Sequence, residues 1–239
     1  MKLFDPSTAF RDGRPWRVEV PWLFMPVMIS GVIVVAAVEG FVITRFIRRC
    51  PGLLAEAVIQ LSMVTAVLLM FVPIPPRGGI TDKLGMRKLS WGDLVIALLG
   101  LVLIYRLQIT SMPPWVRLLE LLNLQGAQQQ ELLTECGRSS FPKFLGMVAL
   151  AGGLIPFVEE VLYRRVLFGF CRPLGVWPAL IATALIFAAA HNFLYGFPAL
   201  FGLGVVFQLQ YLFTGNLLTS TLTHMIYNTI SLTLVFCLS

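Results

Sequence analysis

The chain has only two histidines, His191 and His224, and both lie in long apolar stretches. A third apolar stretch carries adjacent carboxylates, Glu159 and Glu160, followed by Arg164. An ionisable side chain inside a membrane-type segment costs on the order of 2.5 to 3.5 kcal/mol to insert, so its presence there reads first as functional. Glu160 and Arg164 stand four apart, in the order that favours an ion pair on one helical face, and that pairing keeps Glu160 ionised. Glu159 lies about 100° further round the helix and has Tyr163, not a cation, one turn on. It is therefore the candidate general base. His224 and Asn228 repeat the four-residue spacing, so both can face one cavity and donate hydrogen bonds to an oxygen developing negative charge. A base for water and donors for an oxyanion are what acyl hydrolysis needs. A buried polar network with a purely structural role is the plainer reading of the same residues.

The elements that must position these groups are membrane helices. Of 239 residues, 57% are hydrophobic and 13% charged, and the mean hydropathy is +0.83, far from an ordinary soluble domain. The expected fold is all-α, a polytopic transmembrane bundle of about seven spans with a four-helix catalytic core. Apolar segments place the spans at roughly 21–46, 57–76, 89–110, 141–170, 174–193, 197–213 and 217–238. From Pro173 to Ser239 no Asp, Glu, Lys or Arg occurs, a stretch about 100 Å long as helix, enough for three crossings. The chain accordingly divides into a polar tail (1–20), amino-terminal transmembrane helices (21–112), an amphipathic interfacial connector (113–140) and a catalytic transmembrane core (141–239). If the fourth and fifth spans turn near Arg172 to Leu174, Glu159 lies about 20 Å and His191 about 25 Å above that turn. His224 and Asn228 lie about 12 to 18 Å above the turn at Thr214 to Asn216 on the same side, so the four can meet within the bilayer. Gln208 and Gln210 read as interhelical hydrogen bonders, Phe187 as packing, and Tyr163, Asn192 and Asn216 as cavity-lining or capping residues. Glu39 and Glu56 read as interfacial or helix-pairing.

Other classes are excluded by pattern. A net charge of +6 and a pI near 9.5 could suggest nucleic acid, but the basic residues fall singly or in pairs between apolar runs, without a basic stripe. They read as topology signals and lipid headgroup contacts. The four cysteines, at 50, 136, 171 and 237, form no CxxC pair and imply neither a disulfide framework nor a cysteine metal site. The excess of Lys and Arg on the amino-terminal side favours a cytoplasmic amino terminus. A bacterial inner membrane is the expected location.

These residues also carry a family resemblance. FVEEVLYRR holds Glu159, Glu160 and Arg164; FAAAH sets Phe187 four before His191; HMIYN sets His224 four before Asn228. In order, they resemble the EExxxR, FxxxH and HxxxN motifs of the CPBP intramembrane protease family, which includes CAAX prenyl proteases and bacterial Abi proteins. The likeness covers about 142 to 230, with GMRKLSWGDL before the third span also similar to bacterial members. Where the commoner pattern has Gly after the motif arginine, this chain has Arg165.

The resemblance implies an intramembrane endopeptidase acting on a membrane-associated protein or peptide, with prenylated CAAX substrates inferred from relatives. Glu159 with His191 would activate water, His224 and Asn228 would stabilise the oxyanion, and Glu160 with Arg164 would hold the fourth helix and orient Glu159. Family members are often described as metalloproteases, and Glu159, His191 and His224 form a three-ligand set suited to zinc with an open fourth position. The HExxH pattern is absent and a glutamate mechanism needs no metal, so both chemistries stay open. The alternatives are a proton-coupled carrier or a noncatalytic membrane scaffold or immunity protein using the same polar groups. A carrier predicts an inverted repeat, whereas here the polar set is confined to the carboxy-terminal half; a scaffold predicts a lost motif residue, and none is lost.

Overall fold

The computed structural model describes residues 84–124, 136–191 and 193–238. Among the described residues all regular structure is helical: α1 (Trp91–Leu121), α2 (Phe141–Leu174), α3 (Val176–Ala190), α4 (Phe197–Thr214) and α5 (Leu217–Leu238). Helices α1, α2, α4 and α5 are long and apolar enough to cross a membrane. With 15 residues, α3 is about 22 Å long, short of a hydrocarbon core of about 30 Å. The tail and the two spans expected before residue 77, with Glu39 and Glu56, lie outside the described residues, as do 125–135 of the connector and Asn192.

Helix α1 starts with a reciprocal cap: Ser90 Oγ accepts from Asp93 N, and the Asp93 carboxylate accepts from Ser90 N. It then runs through Pro113 and Pro114 to Leu121, past the end expected at 110. Each proline removes the donor for one carbonyl four residues back, at Ile109 and Thr110. A long membrane helix tolerates that loss.

At the other end of the bundle Gly215 takes φ +62°, the left-handed conformation that glycine adopts without a Cβ penalty, and its N–H caps α4 through Tyr211 O. Asn216 then caps α5, accepting from Leu218 N, and also binds the backbone of Arg87. Arg87 forms a two-pronged ion pair with Asp93, which in turn accepts from Thr219 of α5. The segment before α1 is thereby fastened to the start of α5.

Deeper in the bundle, the Gln210 amide donates to Ile96 O on α1 and to Thr223 Oγ1 on α5, joining three helices one residue before His224. Gly100 makes room for it, since a Cβ there would come within 1.9 Å of Gln210 Nε2. Gln208, expected to play the same part, is fully buried but its amide bonds no protein group among the described residues.

Candidate active site

Helix α2 is not uniform. Two widened π turns, Leu150–Leu154 and Val161–Leu167, flank a short α-helical stretch that ends at Glu160. Pro156 accounts for part of the first. Ile155 N reaches back to Leu150 O, and Pro156 has no N–H, so neither helical donor serves Ala151 O. That carbonyl is taken instead by Asn228 Nδ2 of α5, at 2.9 Å. Next to it Gly152 lets α5 approach, because a Cβ there would stand 2.7 Å from Thr229 Oγ1.

The glutamate pair faces His224. Its Nδ1 lies 3.2 Å from Glu160 Oε1 and its Nε2 lies 3.6 Å from Glu159 Oε2. Glu160 is fully buried and is also bound by Arg164, whose Nε and Nη2 are 3.1 and 3.4 Å from the two carboxylate oxygens. The Arg164 guanidinium is surrounded by the rings of Phe187, Phe207 and Tyr163, at 5.3, 5.6 and 5.9 Å, positions where ring faces attract a cation. A carboxylate held by such a cation accepts the His224 Nδ1–H and leaves Nε2 as the nitrogen turned toward Glu159. Phe207 stacks on the His224 ring at 4.6 Å. Glu159, at 18% side-chain exposure, is the more accessible carboxylate.

His191 closes α3. Its Nδ1 is 2.8 Å from Phe187 O; a carbonyl can only accept, so Nδ1 carries a proton, and in the neutral ring Nε2 keeps its lone pair. Phe187 sits between the two histidines, its ring centroid 4.7 Å from His191 and 6.0 Å from His224. Tyr163 meets the same ring edge-on at 5.0 Å. Glu159, Glu160, Arg164, His224 and the Phe187–His191 pair thus form one contiguous group on α2, α3 and α5. Asn228 stands one turn beyond His224, one of its two amide hydrogens directed to Ala151 O.

Residues 141–230 match a family model described as type II CAAX prenyl endopeptidase, Rce1-like, the stretch that contains every residue of this group. This part of the chain is similar to the CPBP family of intramembrane proteases. Among curated proteins the chain is similar to the membrane-embedded CAAX protease MroQ of Staphylococcus aureus, 28% identical over an alignment of 191 positions that covers 73% of each chain. No solved structure matches it significantly. Four helices apolar and long enough to span a membrane, together with the likeness to a membrane-embedded protease, support an integral membrane protein.

Of the zinc set suggested by the sequence, Glu159 and His224 lie 3.6 Å apart and His191 lies across the Phe187 ring. Among the described residues no group of three or more His, Cys, Asp or Glu side chains is arranged to hold a metal ion. Sequence spacing also missed parts of the arrangement. Glu160 contacts His224, so its partner lies on another helix, and the Ala151 carbonyl is a backbone acceptor whose only sequence signal is Pro156, three residues before the glutamate pair.

Proposed function

We propose that the chain hydrolyses a peptide bond of a membrane-associated substrate with Glu159 as general base and without a metal. The observation that carries this reading is His224 set between two carboxylates of different environment, Glu160 neutralised by Arg164 and Glu159 accessible and 3.6 Å from Nε2. A separation of that length is too long for a direct hydrogen bond and leaves both atoms free to bond one water lying beside the pair. Glu159 takes a proton from this water as its oxygen bonds to the scissile carbonyl carbon, and the lone pair on His191 Nε2 orients the same water. The carbonyl oxygen, now negative, receives hydrogen bonds from the second amide hydrogen of Asn228 and from Nε2–H of His224 with both ring nitrogens protonated, its Nδ1–H staying on Glu160. Collapse breaks the C–N bond, and the proton held by Glu159 passes to the departing amine. Glu160 and Arg164 position His224 and hold α2.

The family description and the relative's name support CAAX-type substrates, prenylated ones included. Seven spans, a bacterial inner membrane and a cytoplasmic amino terminus complete the proposed placement. Purified full-length protein in lipid, given a diverse peptide mixture with prenylated CAAX peptides, is expected to cleave a subset. Glu159→Gln should lower turnover about 10²- to 10⁴-fold, and prior treatment with a chelator should leave turnover unchanged. Equal turnover in the variant overturns the assignment of the base; loss on chelation, restored by zinc, overturns the metal-free mechanism.

A further inference from the structure

The stretch of α1 beyond Pro113 and Pro114 is left unexplained by the catalytic group, yet it reaches the connection that leaves His191. Trp115 Nε1 donates to Leu194 O at 2.9 Å, and its ring lies 6.5 Å from that of Phe197, the first residue of α4. Leu194 O also accepts from Phe197 N at 3.2 Å. Inside the same turn the Phe193 ring folds over Gly196, where a Cβ would come within 2.4 Å of it. The turn is thus tied to another helix by the Trp115 side chain, three residues from His191.

The placement of the tether matters because α3 is short. Its last residue is Ala190 and His191 is the cap, so the imidazole is held by Phe187 O and by the course of the chain just after it. A tryptophan near the end of a membrane helix ordinarily serves as an interfacial anchor with its N–H toward water or headgroups. Here the N–H is directed to a backbone carbonyl of the loop.

We propose that Trp115 is a positioning residue for catalysis, holding the turn at Leu194 so that His191 keeps its orientation in the site. This rests on the reading that His191 orients the water. Leu107 and Gln108, further back on α1, make a comparable tie to α4 and α5, Leu107 lying against Gly202 and Gln108 accepting from the Tyr227 hydroxyl. One helix therefore references both halves of the site, and Trp115 is its contact with the His191 half.

The test uses Trp115→Phe, which keeps a ring against Phe197 and removes the donor, beside Trp115→Ala, in the full-length protein in lipid. Because the chain has two histidines, modification by diethyl pyrocarbonate can be followed at each by mass spectrometry, with His224 as the internal reference. The expected result is a severalfold change in the His191 rate in Trp115→Phe with the His224 rate unchanged. Peptide turnover should show kcat reduced about fivefold, as for one lost hydrogen bond, with KM nearly constant. Identical His191 rates in wild type and Trp115→Phe overturn the proposal whether or not any peptide is cleaved. A rise in KM alone also overturns it, in favour of a residue that touches substrate. An altered His191 rate with normal kcat retains the tether and instead removes His191 from the mechanism, so the two readings fail separately.

Discussion

Replacing Arg164 tests the site where its forces are largest. Glu160 and Arg164 both have side-chain exposure of 0%, and the carboxylate has two contacts to the guanidinium, at 3.1 and 3.4 Å, and one to His224 at 3.2 Å. Arg164→Met keeps an unbranched chain among the three rings but leaves Glu160 buried with His224 alone. Removing one member of a buried ion pair costs about 3 to 5 kcal/mol, chiefly from the charge left behind. Glu160→Gln strands the guanidinium in the same way, although three ring faces offset part of that cost. With both replaced no charge is stranded, so the double variant should be more stable than the sum of the singles by about 2 to 3 kcal/mol. Unfolding of the four proteins in mixed micelles measures the cycle. Turnover should fall in both singles and stay low in the double variant, because His224 has lost the acceptor that orients it. Single effects below about 0.5 kcal/mol, or additivity within that margin, would refute the claim that Glu160 and Arg164 act as a buried ion pair.

Three further outcomes follow from the close contacts between helices. Gly152→Ala places a Cβ 2.7 Å from Thr229 Oγ1, so α2 and α5 must part next to the Asn228–Ala151 bond; kcat should drop about tenfold or more, as for a misplacement of about 1 Å. Adding Thr229→Ala removes the obstructing hydroxyl and should restore much of that loss, which a peptide cleavage assay reads directly. Gly100→Ala meets the Gln210 amide and should destabilise the protein by about 1 to 3 kcal/mol through overpacking; unchanged unfolding would mean that Gln210 does not join α1 to α5 as described.

The residues of the site were legible in the sequence because membrane insertion makes each of them costly. Glu159, Glu160, Arg164, His191 and His224 stand out against segments that otherwise lack charge, and helical periodicity pairs Glu160 with Arg164 without knowledge of the fold. The extents of α2, α4 and α5 were legible for the same reason, from apolar length and from breaks at Gly and Pro. What spacing could not supply is the rotation of one helix against another. Each π turn of α2 takes up an extra residue, and one residue is about 100° of helix rotation, so the face on which Glu159 and Glu160 meet α5 depends on two local widenings that periodicity assumes away. The same holds for Asn228. Its spacing from His224 suggests that its whole amide is free for an oxyanion, whereas one amide hydrogen is committed to Ala151 O because Pro156 leaves that carbonyl without a helical donor. This commitment fixes the amide plane, so the remaining N–H is aimed by the backbone of α2, the helix that carries Glu159. The proposed base and the proposed oxyanion donor are therefore referenced to one helix, and a disturbance of the Leu150–Leu154 turn should move both together.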